Sequence, residues 1–131
     1  MRRRWREESG EATTEMVLIV PVLLLLLLVV VQFGLWYHAQ HVVQAAAQEG
    51  TRAARVEGAT ADDGSRRAEL FLARSGGGVV DDPAVLADRT ADQVRVQVSG
   101  QAVAVIPGLH LTVNAAATSP TEEFRPDLSA P

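Results

Sequence analysis

From Met16 to Leu35 the chain is almost entirely Val, Leu and Ile, interrupted only by Pro21, Gln32, Phe33 and Gly34. No other feature limits the fold so strongly. At ~1.5 Å per residue, a helix of this length reaches ~30 Å, the thickness of a bilayer's hydrocarbon core. A helix in a small soluble domain is normally apolar along one stripe, not on every face. The run therefore reads as a single transmembrane helix. Arg2, Arg3, Arg4 and Arg6 precede it, and the next positive charge is Arg52. The positive-inside rule then places the N-terminus in the cytoplasm and the C-terminal body outside. Glu7, Glu8, Glu11 and Glu15 offset the arginines in net charge, but acids count little in that rule.

The remainder of the 131 residues bounds the chemistry by exclusion. There is no cysteine, hence no disulfide and no thiolate metal site. All twelve basic residues are arginine, and the segment beyond His38 is mildly acidic, which gives no footprint for nucleic acid.

Past the membrane segment the pattern becomes amphipathic without a break. Val42, Val43, Ala46, Ala47, Ala53, Ala54 and Val56 recur at helical spacing, and Gln40, Gln44, Gln48, Arg52 and Arg55 take the other faces. Alanine-rich content favours helix, so one helix is expected from about Thr13 to Glu57. Trp36 and Tyr37 stand at the join, where amphipathic rings favour the membrane interface. "GATADDGS" reads as a loop, and "SRRAELFLARSGGG" as a second helix with Ser65 at its N-cap and Gly76 ending it. The triple glycine precedes no helix and no Lys-Ser/Thr, so it is not a phosphate loop. "QVRVQVS", "AVAVI" and "LHLTVNAAA" read as three short antiparallel strands in a meander. Their apolar face needs cover, and the alanine–valine side of the long helix is the available partner. The expected class is α+β: a long N-terminal helix, a short second helix and a sheet of about three strands. The body is too small to hold a deep catalytic cleft beside a core.

Glu15 stands at the entrance of the apolar run. A helix-start carboxylate is favoured by the helix dipole, which is a sufficient ordinary reason for it. Gly10, however, ends a short charged leader, Glu15 is the fifth residue after it, Met16 follows, and Pro21 lies in the second turn. "GEATTEM" and the whole stretch to "EGTRAARVEG" resemble the TadE-like minor pilins (pseudopilins) of tight-adherence pili, over about Ser9 to Gly58. That resemblance implies a structural subunit, not an enzyme, with no cofactor. It implies cleavage after Gly10 by a prepilin peptidase, leaving Glu11 as the new N-terminus and the membrane helix in place. It also implies helix-to-helix packing with other pilin subunits on an assembly platform, Glu15 pairing with the α-amino group of a neighbour's Glu11. An acidic Glu11 departs from the small or apolar residue usual after the cut. The corresponding organisation is a leader over 1–10, a helix over 11–57, a small exported body over 58–117 and a flexible tail over 118–131.

Other groups read as structural. His38 and His41 have no third ligand at helical spacing. Asp62-Asp63 and Asp81-Asp82 lack the acidic ladder of a calcium loop and suit loops and caps. Ser65 and Ser99 have no histidine–acid partners. A proline such as Pro21 frees a carbonyl and kinks or loosens a helix, and membrane helices tolerate it. Two rival readings use the same sequence. One is a signal-anchored envelope protein with a small extracytoplasmic binding domain and no cut at Gly10. The other is a secreted domain released near Ala45–Ala47, against which the length of the apolar run argues.

Overall fold

The apolar run and the alanine-rich stretch after it form one uninterrupted helix, α1 (Trp5–Ala54), in a computed structural model that describes residues 5–123, with side chains from Thr13 onward. The helix starts before the expected Thr13 and stops three residues short of Glu57. Helix α2 (Ala61–Ser75) follows, then strands β1 (Val80–Arg89), β2 (Gln93–Ala102) and β3 (Leu111–Pro120). The strands form an antiparallel meander in the order β1-β2-β3. The α+β class and the helix-covered three-stranded sheet agree with the sequence reading.

The membership of two elements differs. The first strand is "VDDPAVLADR", where Asp81-Asp82 had suited a loop or cap. It is accommodated by a register shift between Asp81 and Ala84, with Asp82 in the left-handed region at φ 47. "AVAVI" is not a strand of its own. Its first residue, Ala102, ends β2 and the rest opens the β2–β3 loop. Likewise "GATADDGS" is not all loop. Thr60, not Ser65, is the N-cap of α2: its hydroxyl accepts from the Asp63 N–H, and the Asp63 carboxylate accepts from the Thr60 N–H at 2.8 Å. This reciprocal capping box satisfies two otherwise orphaned donors. The sheet also runs past the expected tail boundary at 118, since Gln93, Val94 and Arg95 pair with Pro120, Ser119 and Thr118. The remainder of that tail, from Phe124, lies outside the described residues.

Alternation decides which side of the sheet is inward. Val94, Val96 and Val98 of β2 and Val113 of β3 are fully buried, while Arg95, Gln97 and Asn114 are exposed. They pack on Ala39, Val42, Val43, Ala46, Ala47 and Ala54 of α1 and on Ala68 and Leu72 of α2. The helix face is mostly alanine, so sheet and helices approach closely. Helices α1 and α2 cross in close contact, where a Cβ on Gly50 would meet the Gly64 carbonyl at 2.7 Å and one on Gly64 would meet Ala54 Cβ at 2.8 Å. Only glycine fits on both sides of that crossing.

Two expected outcomes follow from this packing. Gly50→Val forces a side chain against backbone and is expected to destabilise the body by about 2 kcal/mol or more. A lowered melting temperature of the body, followed by circular dichroism, would register it; an unchanged midpoint would refute the crossing. The capping hydrogen bonds from Thr60 hold the Asp63 carboxyl below its ordinary value of 3.8. A depressed carboxyl contributes stability that is present above the ordinary value and lost as pH falls through the folded one. Acid titration below the usual carboxylate range should therefore fray the start of α2, and Asp63→Asn should flatten that response.

Candidate functional site

Two parts of α1 do different work. From Met16 to Val31 every residue is exposed. This is the one helix among the described residues that is long and apolar enough to cross a membrane. From Gln32 onward the same helix becomes the spine of the body.

The sequence-predicted residues cluster at the start of the bare half. Gly10 lies inside α1, and its carbonyl accepts a hydrogen bond from Thr14 Oγ1 at 2.9 Å. Glu11 is helical too, with its side chain outside the described residues. Glu15 is exposed on the helix surface and has no hydrogen-bond or ion-pair partner among the described residues. Pro21 lies inside the helix; having no N–H, it leaves the carbonyl of Val17 without its helical donor. Arg2, Arg3 and Arg4 lie outside the described residues.

Sequence reasoning missed the residues that join the two halves. They form a row of polar side chains down one side of α1, each bonded to the backbone of edge strand β3 or of the loop leading into it. Gln32 Nε2 donates to the Val103 carbonyl at 3.1 Å, and its Oε1 accepts from the N–H groups of Val105 at 2.7 Å and Ile106 at 3.4 Å. Trp36 Nε1 donates to the Thr112 carbonyl at 3.2 Å. Gln40 spans Asn114, donating to its carbonyl at 2.6 Å and accepting from its N–H at 3.4 Å. The Thr51 hydroxyl sits 2.8 Å from the Ala47 carbonyl and 3.3 Å from that of Ala117. At the far end the Glu122 N–H donates to the Arg55 carbonyl at 2.9 Å, and the two side chains form an exposed ion pair. The signal in the sequence was the four-residue spacing of Gln32, Trp36 and Gln40, one helical face.

The remaining candidates sit apart. His38 and His41 are exposed, His41 edge-on to Tyr37 at 4.5 Å. Asp62 and Asp63 occupy the first turn of α2, and Asp81 and Asp82 the bulge of β1. Ser65 is within α2 and Ser99 on the exposed face of β2. No three His, Asp or Glu side chains among the described residues come together as a metal site. The cut considered at Ala45–Ala47 would fall in a part of α1 where Ala46 and Ala47 are buried against the sheet.

Residues 10–52 match the family model described as TadE-like protein. The matched segment opens at Gly10 and takes in the whole bare helix and the seam residues up to Thr51. No curated protein and no solved structure matches the chain.

The seam makes its own prediction. Gln32→Leu keeps the volume and removes both ends of the amide, leaving Val103 C=O and Val105 N–H unpaired. Each such group costs about 1–3 kcal/mol. Amide hydrogen exchange at Val105 and Ile106 should accelerate more than at Val96; equal protection in the variant would show that the amide does not hold the loop.

Proposed function

We propose that this chain is a structural minor pilin of the tight-adherence type. It is processed after Gly10 and assembles through α1 into, or at the start of, a pilus-like fibre. The observation that carries the reading is the segment opening at Gly10. It matches the TadE-like family, and its apolar half leaves every side chain from Met16 to Val31 exposed. A surface of that size, bare on all faces, needs lipid or other apolar helices around it.

The chemistry of each residue supports a role. Gly10 is a weak point of the helix: glycine in a helix interior costs about 1 kcal/mol relative to alanine, and a threonine hydroxyl bonding back to its carbonyl further competes with the helical ladder. A prepilin peptidase on the cytoplasmic side needs the backbone opened here. Cleavage leaves the α-amino group of Glu11 at the membrane surface. Glu15, exposed and unpaired, then faces the bilayer margin. When subunits exchange lipid for neighbouring helices, the carboxylate pairs with that amine of an adjacent copy and fixes the axial register. Removing one partner of a desolvated pair leaves a lone buried charge, costing roughly 3–5 kcal/mol. Glu11 adds its own carboxylate beside the amine, so the pair is a three-charge cluster, not a simple ion pair. Pro21 gives the helix a point at which it can bend as packing changes. The partners in this reading are the peptidase, other pilin subunits, the assembly platform and the membrane. The N-terminus is cytoplasmic and the body extracytoplasmic. No catalytic step is assigned to the chain.

The deciding measurement is the mature N-terminus of the membrane-bound protein, by mass spectrometry, with and without a prepilin peptidase. Peptidase-dependent appearance of Glu11 at the terminus is expected; Met1 in both cases would instead support a plain signal anchor. Glu15→Lys should insert in the membrane at wild-type levels and fail to enter fibres. Normal incorporation of that variant would sink the pairing.

A further inference from the structure

We infer that the β2–β3 loop, Val103–His110, is a second membrane contact that seats the body in the outer interface of the bilayer. The inference rests on α1 spanning the membrane and goes beyond the assembly role. A span that begins beside Glu15 and covers ~30 Å of hydrocarbon uses about twenty residues and ends near Leu35. The body, however, reaches down to Gln32, about one turn of helix inside that plane. The segment that reaches there is this loop, held by the Gln32 amide through Val103, Val105 and Ile106. Beyond it, β3 climbs away along α1 through Thr112 at Trp36 and Asn114 at Gln40. The loop is therefore the part of the body closest to the bare helix.

Its composition and bonding fit that position. "VAVIPGLH" contains no carboxylate and no arginine. Ala104, Val105, Pro107 and Gly108 are exposed, and Phe33 stands exposed on the helix at the same level. Irregular backbone is tolerated at membrane depth only where the protein satisfies its polar groups, and here it does so for four of the loop's seven N–H groups, those of Val103, Val105, Ile106 and Leu109. Those of Ala104, Gly108 and His110, with no acceptor among the described residues, suit the hydrated headgroup level and not the hydrocarbon core. Val103 N–H donates to the Val79 carbonyl, Leu109 N–H to the Ile106 carbonyl, and Pro107 has no N–H to satisfy. Gln32, the one polar side chain in the lower part of this contact, is 2% exposed and bonded at both amide atoms. The nearest charges on the sheet, Asp81 and Asp82, lie on the opposite edge strand beside Gln101 and are negative. The occupant is therefore the headgroup–acyl boundary of the bilayer, engaged by apolar insertion and not by attraction to anionic lipid.

The absence of native cysteine makes the test clean. The full chain is reconstituted in phosphatidylcholine vesicles as three single-site variants, Val105→Cys, Phe33→Cys and Leu86→Cys, each carrying a polarity-sensitive fluorophore. Phe33 reports the span, and Leu86, exposed on the far strand β1, reports water. The Val105 label is expected to emit at shorter wavelength than the Leu86 label, to be quenched by a spin label at a shallow acyl position, and to resist aqueous iodide at least several-fold better. Its emission should not change with salt. A Val105 label as open to iodide as Leu86, while Phe33 is quenched by lipid, would overturn the loop contact and leave the span intact. A Val105 label shielded from both quenchers would mean a second copy covers the loop, which also overturns it. A Phe33 label quenched by iodide would remove the span itself.

Discussion

The structure depends on a single helix face that satisfies the backbone of a sheet edge. An edge strand offers a row of unpaired N–H and C=O groups that invites pairing with another chain. In this protein β3 is such a strand, and Gln32, Trp36, Gln40 and Thr51 of α1 bond to it or to the loop leading into it. The same contacts attach the body to the only helix among the described residues that can cross a membrane. Remove them, and the alanine face of α1 and the Gly50–Gly64 crossing still set where the body sits along the helix, but the β2–β3 loop and the β3 edge lose their tie to α1. The seam thus fastens the end of the body nearest the bare helix.

The other edge is managed differently. Strand β1 is protected by its own irregularity: a bulge at Asp81–Ala84, a proline at Pro83 and two carboxylates. These are the devices by which open edges avoid pairing. One edge of this small sheet is sealed by the anchor and the other is made unsuitable for pairing, so the body stays a closed unit while its apolar helix remains available.

How much of this was legible in the sequence follows from which interactions are local. The long helix was, because hydropathy and alanine content act within a few residues of each other. So were strand β2, since "QVRVQVS" alternates strictly, and the covering of the sheet by α1; the count of three came out right because one missed strand replaced one wrongly read. Strand β1 was not, because Asp-Asp-Pro is a turn signal unless a bulge absorbs it. "AVAVI" looked like a strand because it alternates, yet beyond Ala102 its backbone bonds the Val79 carbonyl and a glutamine some seventy residues away (Val105 N–H to Gln32). The start of α2 was misplaced for a related reason. Gly64 reads as loop locally and is glycine because Gly50 passes against it. Of the candidate residues, Gly10, Glu15 and Pro21 stood out only through the resemblance of "GEATTEM" and the helix after it to a known family, whereas the seam did not stand out at all, since a glutamine pairing with a distant strand leaves no motif.

The continuity of α1 has one more consequence. With no break between Glu15 and the seam, the azimuth of the membrane half is locked to that of the body. At 3.6 residues per turn, Glu15 points about 100° around the axis from the direction in which Gln32, Val43 and Gly50 face the sheet. In the proposed assembly, a neighbour that pairs with Glu15 would meet the flank of the body, neither its sheet-bearing side nor the bare back of the helix. The phase of that one carboxylate along a continuous helix would then decide which surface each subunit turns to the outside of a bundle.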